Sequence, residues 1–197
     1  MAISAEMVKE LRAKTGSGIM DCKKALSESG GDVDKALDFL RKKGLATAQK
    51  RSGRDTSEGL IQSYIHMGGK IGVLVEVNCE SDFVAKNEGF GEFVKNIAMH
   101  IAAAAPIGLQ KEDIPEAVVA KEREIYRARA LEQGKPENMV DKIVDGQINK
   151  FFKDSCLMSQ AYIRDPKVTI DDLLKEAIGK IGENIKIRRF ARFQLGE

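Results

Sequence analysis

Apolar residues recur along this chain in two periods, and the places where the period changes mark its elements. Over the first 44 residues the spacing is helical. Met7, Val8 and Leu11 share one side of a helix over Ala5 to Thr15, which Gly16 ends. Cys22, Ala25 and Leu26 do the same over Ile19 to Ser29, followed by Gly30-Gly31. Asp32 is a good N-cap for a third helix with Val33, Ala36, Leu37 and Leu40, closed by Gly44. Three helices of this length bury only a small core, which is marginal alone. Leu45 to Thr56 is basic and Ala-rich and reads as a linker with partial helical character, with a boundary near 54–56.

The period then drops to two. Glu58 to Met67 and Lys70 to Glu80 flank Gly68-Gly69 and predict a β-hairpin. In its second strand Ile71, Val73, Val75 and Val77 alternate with Gly72, Leu74, Glu76 and Asn78. Helical spacing returns over Asn87 to Ala105, with Phe90, Phe93, Val94, Ile97, Ala98 and Ile101 on one face. Pro115 opens a charged helix that runs to Gln133, and Pro136 opens another that runs to about Asp154. Thr169 to Ile181 is amphipathic, and Asn184 to Leu195 alternates again as a closing strand. The pattern predicts an α+β chain. A three-helix module with its linker occupies residues 1–54, and a core domain occupies residues 55–197, with a three-stranded antiparallel sheet packed with helices.

Composition narrows the class. With 43% hydrophobic and 31% charged residues, the 197-residue chain is an ordinary globular protein. Its formal net charge of +2 is unevenly spread. Residues 1–54 hold 12 Lys/Arg against 7 Asp/Glu, a net +5, and the remainder holds 20 against 23, a net −3. The front module is therefore suited to an acidic surface. The N-terminus carries acids early and no apolar segment, so it does not read as a secretory signal. The longest apolar stretch, Ile101 to Ile107, is too short to span a bilayer. Cys22, Cys79 and Cys156 are odd in number and widely spaced, which predicts buried free thiols in a reducing cytoplasm. No Cys/His spacing predicts a metal, and nothing predicts a cofactor.

The candidate chemistry is sparse. At the end of the second strand alternation stops, and the chain presents Ser81-Asp82-Phe83-Val84 just before a helical pattern. From the residues alone, Asp82 caps the following helix and Phe83 packs in its own core. The other reading is an acid and a large aromatic placed to push into a partner. The Gly16-Ser17-Gly18 turn lacks the spacing of a phosphate loop and no strand precedes it. His66 sits near the hairpin tip, and His100 lies on the apolar face of its helix, where a packing histidine is expected. No nucleophile elbow, HExxH or dinucleotide fingerprint is present, so no enzyme activity is expected.

Two stretches carry a family resemblance. Leu11-Arg12-Ala13-Lys14-Thr15-Gly16-Ser17-Gly18-Ile19-Met20-Asp21-Cys22-Lys23-Lys24-Ala25-Leu26 resembles the N-terminal signature of the bacterial elongation factor Ts family. Glu76-Val77-Asn78-Cys79-Glu80-Ser81-Asp82-Phe83-Val84-Ala85-Lys86 resembles its second signature, with serine where the family usually has threonine. Ile97 to Ala102, Gly134-Lys135-Pro136 and Ile181-Gly182-Glu183-Asn184-Ile185 also look like family stretches, so the likeness covers nearly the whole chain.

The resemblance implies a fold and an activity. The three-helix module is similar to a ubiquitin-associated-type domain, and the rest to the family's core domain. The family exchanges guanine nucleotide on elongation factor Tu. It binds the GDP-loaded partner, promotes GDP release, and stays bound until GTP arrives. Ser81, Asp82, Phe83 and Val84 would form the wedge that disturbs the partner's magnesium site. Arg12, Thr15, Gly16, Gly18, Ile19 and Met20 would dock on the partner, and His66 would make a further contact. Many members are longer and carry two core subdomains. This chain has room for one, which implies a homodimer binding two copies of elongation factor Tu, with no membrane and no direct nucleic-acid contact. The competing class is a nucleic-acid or ribosome-binding protein, using Arg41-Lys42-Lys43, Lys50, Arg51 and Arg54, or Lys186, Arg188, Arg189 and Arg192. Steeply salt-dependent RNA binding would favour it.

Overall fold

A computed structural model describes residues 3–196. The chain forms two compact units. The first comprises Met1–Gln62, Val75–Asn96 and Asp172–Arg188; the second comprises Ser63–Leu74, Ile97–Asp171 and Arg189–Glu197. The class is α+β, as the pattern predicts.

The first unit opens with α1 (Ala5–Thr15), α2 (Ile19–Glu28) and α3 (Val33–Arg51). Ser4 Oγ accepts from the Met7 N–H at 3.2 Å, and Asp32 Oδ1 accepts from the Lys35 N–H at 3.1 Å, so α1 and α3 both begin on side-chain caps. Val8, Leu11, Cys22, Ala25, Leu26 and Ala36 form the core of the three helices, with Met7, Val33, Leu37, Phe39 and Leu40 packed around it. Apart from Phe39, these are the apolar positions that the helical spacing selects.

One expectation is corrected here. Gly44 does not end the third helix, and the segment read as linker is helical as far as Arg51. The reason is a close crossing with α8 (Ile170–Ile181). A Cβ on Gly179 would lie 2.7 Å from the Gly44 Cα, closer than real side chains approach. Glycine inside a helix costs up to about 1 kcal/mol. Here Gly179 lets the backbone of α8 come up against Gly44, so Gly44 marks a contact along a continuing helix and not a stop.

The hairpin forms as expected. β1 (Glu58–Ile65) and β2 (Ile71–Cys79) flank the turn, where Gly68 and Gly69 both have positive φ and His66 N–H donates to Ile71 O at 2.9 Å. β5 (Ile185–Gln194) joins them in a three-stranded antiparallel sheet of order β1-β2-β5. Each of the three strands contributes residues to both units. Val73, Val75, Val77 and Cys79 of β2 are buried, the face that the alternation assigns to the core. A short helix, α4 (Asp82–Ala85), follows β2, and α5 (Glu88–Ala104) follows that.

In the second unit α6 (Glu116–Glu132) and α7 (Glu137–Ser155) form a helical hairpin about Gly134. Ala130, Val140, Val144 and Ile148 make its seam, with Val119, Tyr126, Ile143 and Phe152 against it. Arg123 pairs with Asp145 at 2.9 Å, and Arg127 pairs with Asp141. A small antiparallel pair that the sequence pattern does not reveal, β3 (Ala161–Tyr162) and β4 (Asp165–Thr169), follows α7. His100 is fully buried. Its Nε2 donates to Gln160 Oε1 at 3.0 Å, and its Nδ1 accepts from the Ile163 N–H at 3.4 Å. Gln160 in turn donates to Ala104 O and Asp154 O, so the packing histidine is satisfied.

Candidate functional site

The Ser81–Val84 tip sits where β2 hands over to α4. The cap is Ser81 and not Asp82: Ser81 Oγ accepts from the Val84 N–H at 3.3 Å. Asp82 is exposed and takes a hydrogen bond from Lys86 Nζ at 2.8 Å, one turn on. That bond, with the lysine's charge, holds the Asp82 carboxyl below the usual carboxylate range. Val84 is buried and roots the turn. Phe83 is 79% exposed, so it does not pack in a core of its own. Singly exposed apolar residues are common, but a phenyl ring this open on a tight turn has nothing of its own chain to bury against.

A carboxylate from far along the sequence holds this turn. Glu183 Oε2 accepts from the Glu80 N–H at 3.1 Å and the Ser81 N–H at 3.0 Å, and its Oε1 accepts from Ser81 Oγ at 2.6 Å. Glu80 returns the exchange, its Oε1 accepting from the Asn184 N–H at 2.6 Å. This bond leads the effects that lower the Glu80 pKa, with Arg54 and Arg51 adding to it. Asn184 Nδ2 donates to Arg54 O at 2.8 Å and Ser52 O at 3.4 Å, just past the end of α3. Cys79, beneath the tip, is buried, and its Sγ donates to Ser81 O at 3.2 Å. Burial, with the Glu183 charge second, pushes the Cys79 thiol up to about 11, so it stays a neutral, unreactive thiol.

The N-terminal candidates lie in the same unit. Arg12 is exposed in the last turn of α1, and its carbonyl accepts from the Gly16 N–H at 2.7 Å, with Gly16 in the left-handed region. Thr15 Oγ1 donates to Leu11 O at 2.8 Å and accepts from the Ser17 N–H at 3.2 Å, so the threonine shapes the turn. Gly18 precedes α2, and Ile19 and Met20 open that helix 54% and 72% exposed. His66 belongs to the second unit, exposed beside the hairpin turn, with its Nδ1 3.2 Å from the Tyr64 hydroxyl. The structure thus gathers Ser81, Asp82, Phe83 and Val84 on one turn and Arg12, Thr15, Gly16, Gly18, Ile19 and Met20 around another.

Glu80, Glu183 and Asn184 carry the geometry of the tip, and the sequence pattern assigns none of them a role. Glu80 lies within the Glu76–Lys86 stretch, and Glu183 and Asn184 follow the turn glycine Gly182 within the Ile181–Ile185 stretch, but neither stretch shows that they meet. No group of three or more His, Cys, Asp or Glu among the described residues is arranged to hold a metal. No helix among them is long and apolar enough to cross a membrane.

Comparison with known proteins bears on what this tip belongs to. The family described as Elongation factor TS matches residues 45–197. The chain is 65% identical to Elongation factor Ts of Desulfosudis oleivorans over 195 residues, covering 99% of this chain and 98% of that one. This chain belongs to the elongation factor Ts family. Two further members are similarly close. Elongation factor Ts of Geotalea daltonii is 61% identical over 197 residues, covering all of this chain and 91% of its own, and that of a Thermoanaerobacter species is 62% identical over 195 residues, covering 99% and 96%. Family membership makes the chain a translation elongation factor, a component of protein biosynthesis. The family match includes both Ser81–Val84 and the Gly182-Glu183-Asn184 turn.

Proposed function

We propose that this chain is a guanine nucleotide exchange factor for elongation factor Tu. It binds the GDP-loaded partner, and Phe83 enters the partner's nucleotide-binding domain as a wedge that disturbs the magnesium and phosphate site. GDP leaves, and the complex persists until GTP binds. No bond is made or broken by this chain. Its effect is a coupling free energy, since a factor that prefers the nucleotide-free partner weakens nucleotide binding by the same ratio.

The observation that carries the reading is the Phe83 ring, 79% exposed on a turn that is otherwise hydrogen-bonded. Burying such a ring on a partner is worth roughly 1.5–3 kcal/mol. Coupling between sites typically amounts to about 1–3 kcal/mol, so one wedge is enough to supply a large part of it. Asp82 and its Lys86 partner flank the ring with charge. Arg12, Ile19 and Met20 supply a second contact, and His66 a third. The free, buried thiols suit a reducing cytoplasm. On this reading two chains pair. Ile65, Met67, Leu74, Phe193 and Leu195, exposed apolar residues of the second unit, provide the surface for it.

Stopped-flow release of a fluorescent GDP analogue from elongation factor Tu tests the wedge. Phe83→Ala is expected to keep the fold and slow the maximal release by about tenfold to a hundredfold. Release at the unaltered rate would sink the reading.

A further inference from the structure

The exposed ring of Phe83 raises a question of stiffness. A four-residue helix does not hold its own shape, because nucleating a turn costs more than one turn returns. The ring cannot anchor α4 either, since it is 79% exposed. A mobile ring would lose its freedom on insertion and so weaken the wedge. Val84 roots the turn from below, and the hold on its first residue comes from outside the helix.

We propose that Glu183 is a positioning residue for nucleotide exchange, holding the Phe83 turn in its insertion-ready form. The inference rests on the wedge reading of Phe83. Three donors converge on this one carboxylate: the Glu80 and Ser81 amides and the Ser81 hydroxyl. The hydroxyl is the decisive link. By donating to Glu183 Oε1 it turns its oxygen toward the Val84 N–H, which is the cap of α4. Glu183 thus sets the rotamer of Ser81, Ser81 sets the first turn, and the first turn carries Phe83. The Glu183 turn is itself fastened, through Asn184 to the carbonyls of Ser52 and Arg54, and through Glu80 to Arg51 and Arg54. Neutral acceptors would satisfy the same donors more weakly, because bonds to an ionised acceptor are about twice as strong.

The test uses the full-length chain and its nucleotide-loaded partner, with Glu183→Ala, Glu183→Asp and Glu183→Gln measured alone and in a Phe83→Ala background. Glu183→Ala removes the acceptor, and Glu183→Asp keeps the charge but withdraws it by one methylene. Both are expected to lower the maximal GDP release rate by roughly 5- to 50-fold, within the usual range of coupling between sites. Binding to the GDP-loaded partner should change less. Glu183→Gln, which keeps length and one acceptor, should restore part of the loss. Amide exchange at Ser81 and Val84 should rise in step with the loss. In the Phe83→Ala background the same substitutions should slow release no further, although they still lower thermal stability. If Glu183→Ala fails to fold, Glu183→Asp carries the test. A folded Glu183→Ala or Glu183→Asp protein with unaltered maximal release overturns the positioning role, as does a loss that adds fully to that of Phe83→Ala. Slow release by Phe83→Ala alone, with Glu183 variants at the full rate, leaves the wedge standing and removes only this inference. Full release by Phe83→Ala removes both.

Discussion

At the scale of the residue, the buried, hydrogen-bonded pair His100 and Gln160 gives a pH prediction. Burial lowers the His100 pKa below its ordinary value of 6.5, and the hydrogen bond to Gln160 opposes this only in part. The unfolded chain therefore takes up a proton at higher pH than the folded one. Stability from this group is fully present above about pH 6.5 and is lost as pH falls through the lowered folded value. The urea midpoint should fall between pH 7.5 and 5.5. His100→Gln should lose that part of the fall, and an unchanged pH slope in the variant would show that other groups cause it. Residue identity was partly legible in advance. His100 reads as a packing histidine from its neighbours on α5, but Gln160, its partner 60 positions away, has no local signal. Likewise the residues alone point to Asp82 as the cap, which the structure corrects to Ser81. A serine hydroxyl can donate to Glu183 while it accepts from the Val84 amide, and an ionised aspartate cannot donate, so the structure uses Ser81.

At the scale of the element, the crossing of α3 and α8 distinguishes two glycines that look alike in sequence. A Cβ on Gly179 would press on the Gly44 backbone at 2.7 Å, whereas a Cβ on Gly44 finds its nearest neighbour at an ordinary 3.9 Å. Gly179→Ala should therefore cost about 1–3 kcal/mol through forced separation of the helices. Gly44→Ala should be neutral or should stabilise by up to about 1 kcal/mol, since alanine is the better helix former. Thermal or urea unfolding of the two variants decides this, and equal effects would refute it. Helix and strand positions were largely legible because apolar periodicity and caps are local. The end of α3 was not, because a glycine reads as a stop until its crossing partner is known. The β3–β4 pair escaped for another reason: strands of two and five residues are too short to show a period.

At the scale of the whole molecule, the chain is expected to sediment as a pair at micromolar concentration and to bind two copies of elongation factor Tu per pair. Phe193→Asp or Leu74→Asp, which place a charge on the exposed apolar surface, should yield single chains that remain folded. A wild-type protein that sediments as a single chain and forms only a one-to-one complex would contradict the pairing. The Glu80–Glu183 exchange has a different consequence, for the order in which the protein is made. Residues 80 and 81 leave the ribosome long before residue 183 exists, and about a hundred positions separate the partners. Local helices such as α1 and α2 can form as they emerge, but a contact of such sequence separation must wait for its second half. During synthesis the tip is therefore a loose loop, and it stiffens only when nearly the last strand has been delivered. On the proposed wedge reading, a nascent or prematurely ended chain would carry Phe83 without its stiffened turn, and only finished copies would compete for elongation factor Tu.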